Sequence, residues 1–97
     1  MTDAAAKKTE PFILFELGTT IYGIPSRSVQ QVEMLEKITP VPNTPTFVEG
    51  VILSRGQVIP AINLRKRFGF ESKEQDSKTR LVVVNTAARV VGLIVDS

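Results

Sequence analysis

Gly50-Val51-Ile52-Leu53-Ser54-Arg55-Gly56-Gln57-Val58-Ile59-Pro60-Ala61-Ile62-Asn63-Leu64-Arg65-Lys66-Arg67-Phe68 is the stretch whose reading decides the fold class. Two apolar runs, Val51 to Leu53 and Val58 to Ile62, flank Ser54-Arg55-Gly56-Gln57. Two such runs separated by a two-residue loop form a hairpin pattern. Gly56 supplies the positive φ that the second loop position of a type I′ or type II turn requires, which leaves Arg55 at an exposed tip pointing away from the sheet. Asn63 then caps a helix of one to two turns, Leu64 to Phe68, with Leu64 and Phe68 on its buried face and Gly69 ending it in the left-handed region.

Upstream, Phe12 to Leu17 is a dense β-forming run, Gly18-Thr19 has the glycine-first order of a type II′ turn, and Thr20 to Ile24 runs back until Pro25 closes it. Ser26 to Ile38 reads two ways. Val29, Val32, Leu35 and Ile38 recur every three residues as on a helix face, yet Val29 to Val32 can equally be a short strand after one helical turn. Thr39 to Pro45 carries three prolines in seven residues and is an extended connector, after which Phe47 and Val48 anchor the return into the hairpin. Downstream, Glu71 to Lys78 has no apolar member and reads as a loop, and Arg80 restarts the β pattern. Leu81 to Val84 and Val90 to Val95 are continuous apolar runs, the pattern of strands buried on both faces or facing a partner. Residues 1–11 lack periodicity and read as a disordered arm. The class is mainly β, with six or seven short strands and one short helix.

Composition narrows the chemistry. The 97 residues include neither cysteine nor histidine, which removes disulfides, thiolate nucleophiles, the commonest general base and the usual transition-metal ligands. No catalytic, cofactor or metal site is expected. Twelve basic and ten acidic side chains give a net charge of +2, too even a balance to imply nucleic acid. A single-stranded nucleic-acid-binding barrel would need exposed rings interleaved with basic residues, whereas most of the five Phe and Tyr22 sit within apolar patterns. No apolar stretch is long enough to insert in a membrane and no leader pattern opens the chain, so the expected location is the cytoplasm.

Asn43-Thr44-Pro45-x-Phe47-Val48-x-Gly50-Val51-Ile52-x-x-Arg55-Gly56-x-Val58-Ile59-Pro60-x-Ile62-x-Leu64-Arg65-x-x-Phe68-Gly69 resembles, in order and spacing, the CheW family of bacterial chemotaxis adaptors. The likeness extends over Phe12 to Pro25, Val29 to Val32 and Leu81 to Asp96. It implies a non-catalytic adaptor built of SH3-like five-stranded barrels that couples chemoreceptors to a CheA-type histidine kinase. On this resemblance residues 12–97 form one CheW-like domain, with the first barrel complete over residues 12–70 and the second barrel partial over residues 80–97. The implied partners are the regulatory domain of the kinase and the cytoplasmic tip of the receptor. An incomplete barrel would leave strand edges open, so a strand-exchanged homodimer is a further expectation. The alternative is a CheW-like module of another chemosensory pathway or of a larger fused protein.

The residues the resemblance assigns to partner binding are Arg55 and Gly56 at the tip, Gln31, Val29 and Val32 on the segment that it makes a strand, and Val51 and Ile52 beside the apolar groove between the barrels in which the resemblance implies that receptor tips dock. Gln31 stands where the family commonly has glutamate, and Asn63 where aspartate is frequent. Bland readings stand beside these. Arg55 alone could be a solvated turn residue, Gly50 and Gly56 serve backbone geometry, and the valines double as core. Arg65, Lys66 and Arg67 read first as a wet face, and Glu71, Glu74 and Asp76 lack the apolar surroundings that would raise a carboxyl pKa for catalysis.

Overall fold

The structure, a computed structural model, describes residues 10–97, so most of the arm expected over residues 1–11 lies outside the described residues. Seven strands run in order: β1 (Phe12–Leu17), β2 (Thr20–Pro25), β3 (Val29–Met34), β4 (Val48–Ser54), β5 (Gln57–Asn63), β6 (Arg80–Asn85) and β7 (Val90–Val95). A single helical turn, α1 (Leu64–Arg67), follows β5. The β1–β2 loop has its positive φ at Gly18, 62°, where the glycine-first reading put it.

The ambiguous segment resolves into a 3₁₀ turn, Ser26–Ser28, and then β3. Its three-residue periodicity is not a helix face. A bulge between Val29 and Gln31 switches the strand's facing, so Val29 packs against one apolar cluster while Leu35 and Ile38 pack against another and Val32 stays 47% exposed. The helix also differs from expectation. Phe68 is its C-terminal cap and 47% exposed, so only Leu64 is buried on α1. The Phe68 ring instead lies on Tyr22, 5.6 Å between centroids, and Phe70 packs edge-on beyond it.

β1 and β2 form a two-stranded sheet, and the other five strands form one sheet in the order β3-β6-β7-β5-β4, antiparallel except for β5 against β7. The strands of residues 80–97, β6 and β7, thus share one sheet with β3, β4 and β5. β6 and β7 are inserted between β3 and β5 because their unbroken apolar runs need cover on both faces. Leu81 and Val83 join Ile52, Ile59, Ala61 and Ile94 in one cluster, whereas Val82 and Val84 join Phe15, Leu17, Leu64 and Val95 in the other. Each fully buried Val or Leu here stabilises the fold by about 1.5 to 3 kcal/mol.

The hairpin β1–β2 is tied down by backbone bonds at Glu16, whose N–H donates to Ser97 O at 2.9 Å and whose carbonyl accepts from Asp96 N at 3.0 Å. The two outer strands of the large sheet also meet. Thr39, on the run that continues from β3, bridges Val51 of β4 through reciprocal bonds of 2.9 and 2.8 Å. Gly50 makes this approach possible. At φ 147°, a Cβ there would lie 2.2 Å from Thr39 O.

Candidate interaction site

The β4–β5 loop is a type I′ turn, with φ of 53° at Arg55 and 76° at Gly56, and Ser54 paired to Gln57 below it. The handedness of a I′ turn matches the twist of the strands it joins, which is why two residues suffice. Arg55 is exposed and makes no salt bridge among the described residues. Holding a non-glycine residue in the left-handed region costs about 1 kcal/mol, and asparagine would fit that position better. A Cβ on Gly56 would meet nothing within 4 Å, so its role is the backbone angle alone.

Below the tip, Leu53 and Val58 face each other across the hairpin and are 70% and 65% exposed. Val51 is half-buried opposite Pro60. Ile52 does not belong to the surface: it is 3% exposed inside the sheet, because alternation along β4 turns it opposite to Val51 and Leu53. On β3, Val32 and Met34 are exposed and Val29 is half-buried. Leu53 and Val58 escaped the sequence reading, although the two-residue loop fixes them as a cross-strand pair on the face opposite Ile52 and Ile59.

Gln31 is half-buried and its amide is turned inward. Its Nε2 donates to Ser54 Oγ at 2.7 Å and to Glu33 Oε2, and Ser54 Oγ donates to the same carboxylate oxygen at 3.1 Å. Three polar side chains thus join β3 to β4 directly beneath the turn. Neither Glu33 nor Ser54 stood out in the sequence, since the contact depends on two outer strands meeting around the sheet.

The basic run on α1 is not a free wet face. Arg65 holds Asp96, Lys66 Nζ lies 3.1 Å from Glu49 Oε2, and the Arg67 guanidinium sits 5.2 Å over the Phe47 ring. Asn63 caps the helix, its Oδ1 accepting from Lys66 N at 3.2 Å while its Nδ2 donates to Glu49 at 2.8 Å. The hydrogen bonds from Arg65 hold the Asp96 carboxyl below its ordinary pKa, aided against burial by the Gly18 amide. Burial pushes the Glu49 carboxyl up, but hydrogen bonds from Asn63 and Lys66 outweigh it and leave the pKa lowered. The Lys78 amide and Lys73 lower Asp76 likewise. These carboxylates are kept ionised, the opposite of what a general acid needs. Among the described residues no helix is long and apolar enough to cross a membrane.

A family profile described as "CheW-like domain" matches residues 11–97. The chain is similar to the Chemotaxis protein CheW of Klebsiella aerogenes, 38% identical over 90% of this chain and 52% of that protein. It is also similar to CheW of Thermotoga maritima, 37% identical over 98% of this chain and 62% of that protein. Protein FrzA of Myxococcus xanthus is 33% identical over 97% of this chain and 59% of its own length. Among solved structures, the scaffolding protein TtCheW from Thermoanaerobacter tengcongensis superposes with a TM-score of 0.86 at 36% identity, over 91% of this chain and 60% of that one. The chain thus spans about half to three fifths of the relatives it matches.

Proposed function

This chain belongs to the CheW-like domain family, and from that premise we propose that it is a non-catalytic adaptor coupling chemoreceptors to a CheA-type histidine kinase in the cytoplasm. The single observation that carries the reading is the stiff type I′ turn that presents Arg55 beside the exposed Leu53–Val58 pair. Such a surface recognises rather than reacts. A few apolar contacts supply binding energy, and a fixed guanidinium supplies register and specificity. Arg55 and Gly56 form the contact tip, Val51 and Val32 lie on the flanking strands, and Val29 and Gln31 act from behind them. The kinase's regulatory domain and the receptor's cytoplasmic tip are the proposed partners. In a receptor–kinase array reconstituted with the chain, Arg55→Ala should fold as the wild type and lower kinase activation; unchanged activation would contradict the reading.

A second reading is favoured by the outer face of the β1–β2 hairpin. Phe12, Leu14 and Ile21 are 53%, 67% and 61% exposed there, and among the described residues no strand pairs with the far edge of β2. An open edge beside an apolar face recruits further strands, either from a second copy or from a larger protein that contains this domain. Light scattering across a concentration series separates these, since only the first gives a dimer of the chain alone.

A further inference from the structure

Arg55 sits in a backbone conformation that residues other than glycine and asparagine rarely adopt, at the end of a hairpin whose outer strand, β4, has among the described residues no strand partner beyond β5 near the turn. Left to itself, such a tip would rock on its two-stranded stem. Among the described residues, the backbone contact between β4 and the β3 side is the single bridge at Val51 and Thr39, three residues below Ser54. What reaches across at the level of the turn is the ring of hydrogen bonds among Gln31, Glu33 and Ser54. Ser54 is the last paired residue before Arg55 and is 8% exposed, so its hydroxyl has no alternative in bulk water. It both accepts from Gln31 and donates to Glu33. One Glu33 carboxylate oxygen in turn accepts from both partners and closes the ring.

We infer that Gln31, Glu33 and Ser54 act as one clamp that holds the Arg55-Gly56 turn in its presenting orientation. They are positioning residues for the acidic group that Arg55 meets on a partner. The inference rests on the reading of Arg55 as a contact, but the clamp itself is a property of the chain alone. Gln31 consequently acts from behind the surface. Glu33 turns its carboxylate to Gln31 and Ser54, while the Arg55 guanidinium makes no salt bridge among the described residues.

The test has two arms on the full chain. In the first, amide hydrogen exchange is followed at Ser54, Arg55 and Gln57. Ser54→Ala and Glu33→Ala should accelerate it by about tenfold or more, with β1–β2 amides unchanged, while Glu33→Gln, whose amide oxygen still accepts both bonds, should stay near the wild type. In the second, affinity for the regulatory domain of a CheA-type kinase is measured. Ser54→Ala should weaken it, and should add nothing once Arg55→Ala is present. Unchanged exchange in Ser54→Ala would overturn the clamp, as would losses that add fully in the double variant. If the wild-type chain fails to bind the kinase domain, the proposed function falls while the exchange arm still decides the clamp.

Discussion

Arg65 grips both carboxylate oxygens of Asp96, Nε to Oδ1 at 2.8 Å and Nη2 to Oδ2 at 2.6 Å, with the two side chains only 17% and 15% exposed. This fork joins α1 to the end of β7, and the same carboxylate accepts from the Gly18 amide of the first hairpin turn. The guanidinium also donates to Glu71 O at 2.9 Å, so the Arg65–Asp96 pair together ties four segments. Removing one member leaves the other part-buried and unpaired. Arg65→Ala should cost about 2 to 4 kcal/mol in urea unfolding. Arg65→Lys should recover only part of it, because an ammonium cannot reproduce the fork. Lys73→Ala, which breaks an exposed pair with Asp76, should leave the urea midpoint where it is in the wild type.

The pH dependence follows from the same carboxylates. Asp96 and Glu49 both have folded-state pKa values below their ordinary ones. Their contribution is therefore complete above the unfolded value of about 4 and is lost as pH falls through the lower folded-state value. The chain has no histidine, so nothing of that kind titrates between about pH 6 and 8. Urea midpoints should be flat across that range and fall steeply below about pH 4. The gap between wild type and Asp96→Asn should narrow over that acid limb. A stability loss centred near neutrality would contradict this account.

Two glycines in one hairpin should lose stability to alanine by very different amounts. At Gly50 the new methyl would collide with backbone, the Thr39 carbonyl, which cannot swing aside without breaking the bridge to Val51. Gly50→Ala should cost about 3 kcal/mol or more. At Gly56 the space is open and only the positive φ of 76° resists, so Gly56→Ala should cost about 1 kcal/mol. Thermal melts of the two variants side by side check the order.

Local chemistry was legible in the sequence because each local signal had one physical meaning. Gly18 and Gly56 marked their turns and Asn63 its cap. Leu81 to Val84 announced two-sided burial, and the sheet delivers it by placing β6 between β3 and β7. What failed was whatever depended on the chain returning to itself. Nothing around Val29 reveals the bulge that turns Gln31 inward, and nothing near Ser54 reveals that β3 lies beside it. The partners of Arg65, Lys66 and Arg67 lie 31, 17 and 20 positions away, which made a bonded set of cations resemble a solvated run. Ile52 was misplaced for a simpler reason: in Val51-Ile52-Leu53 all three residues are apolar, and only the hairpin register says which one points inside.

The turn residue that carries the proposed function is also the one least suited to its backbone, and that mismatch can be measured. At φ 53°, Arg55 occupies the first position of a type I′ turn, where asparagine is strongly preferred. Arg55→Asn should therefore raise stability by about 0.5 to 1 kcal/mol, through relief of the left-handed penalty. The same substitution removes the guanidinium from an otherwise unchanged hairpin, so it should weaken coupling to the kinase. A gain in stability together with a loss of coupling would show that this position is kept for what it touches rather than for how it folds. A stabilised variant that couples fully would reduce Arg55 to an ordinary turn residue and shift the contact onto Leu53 and Val58.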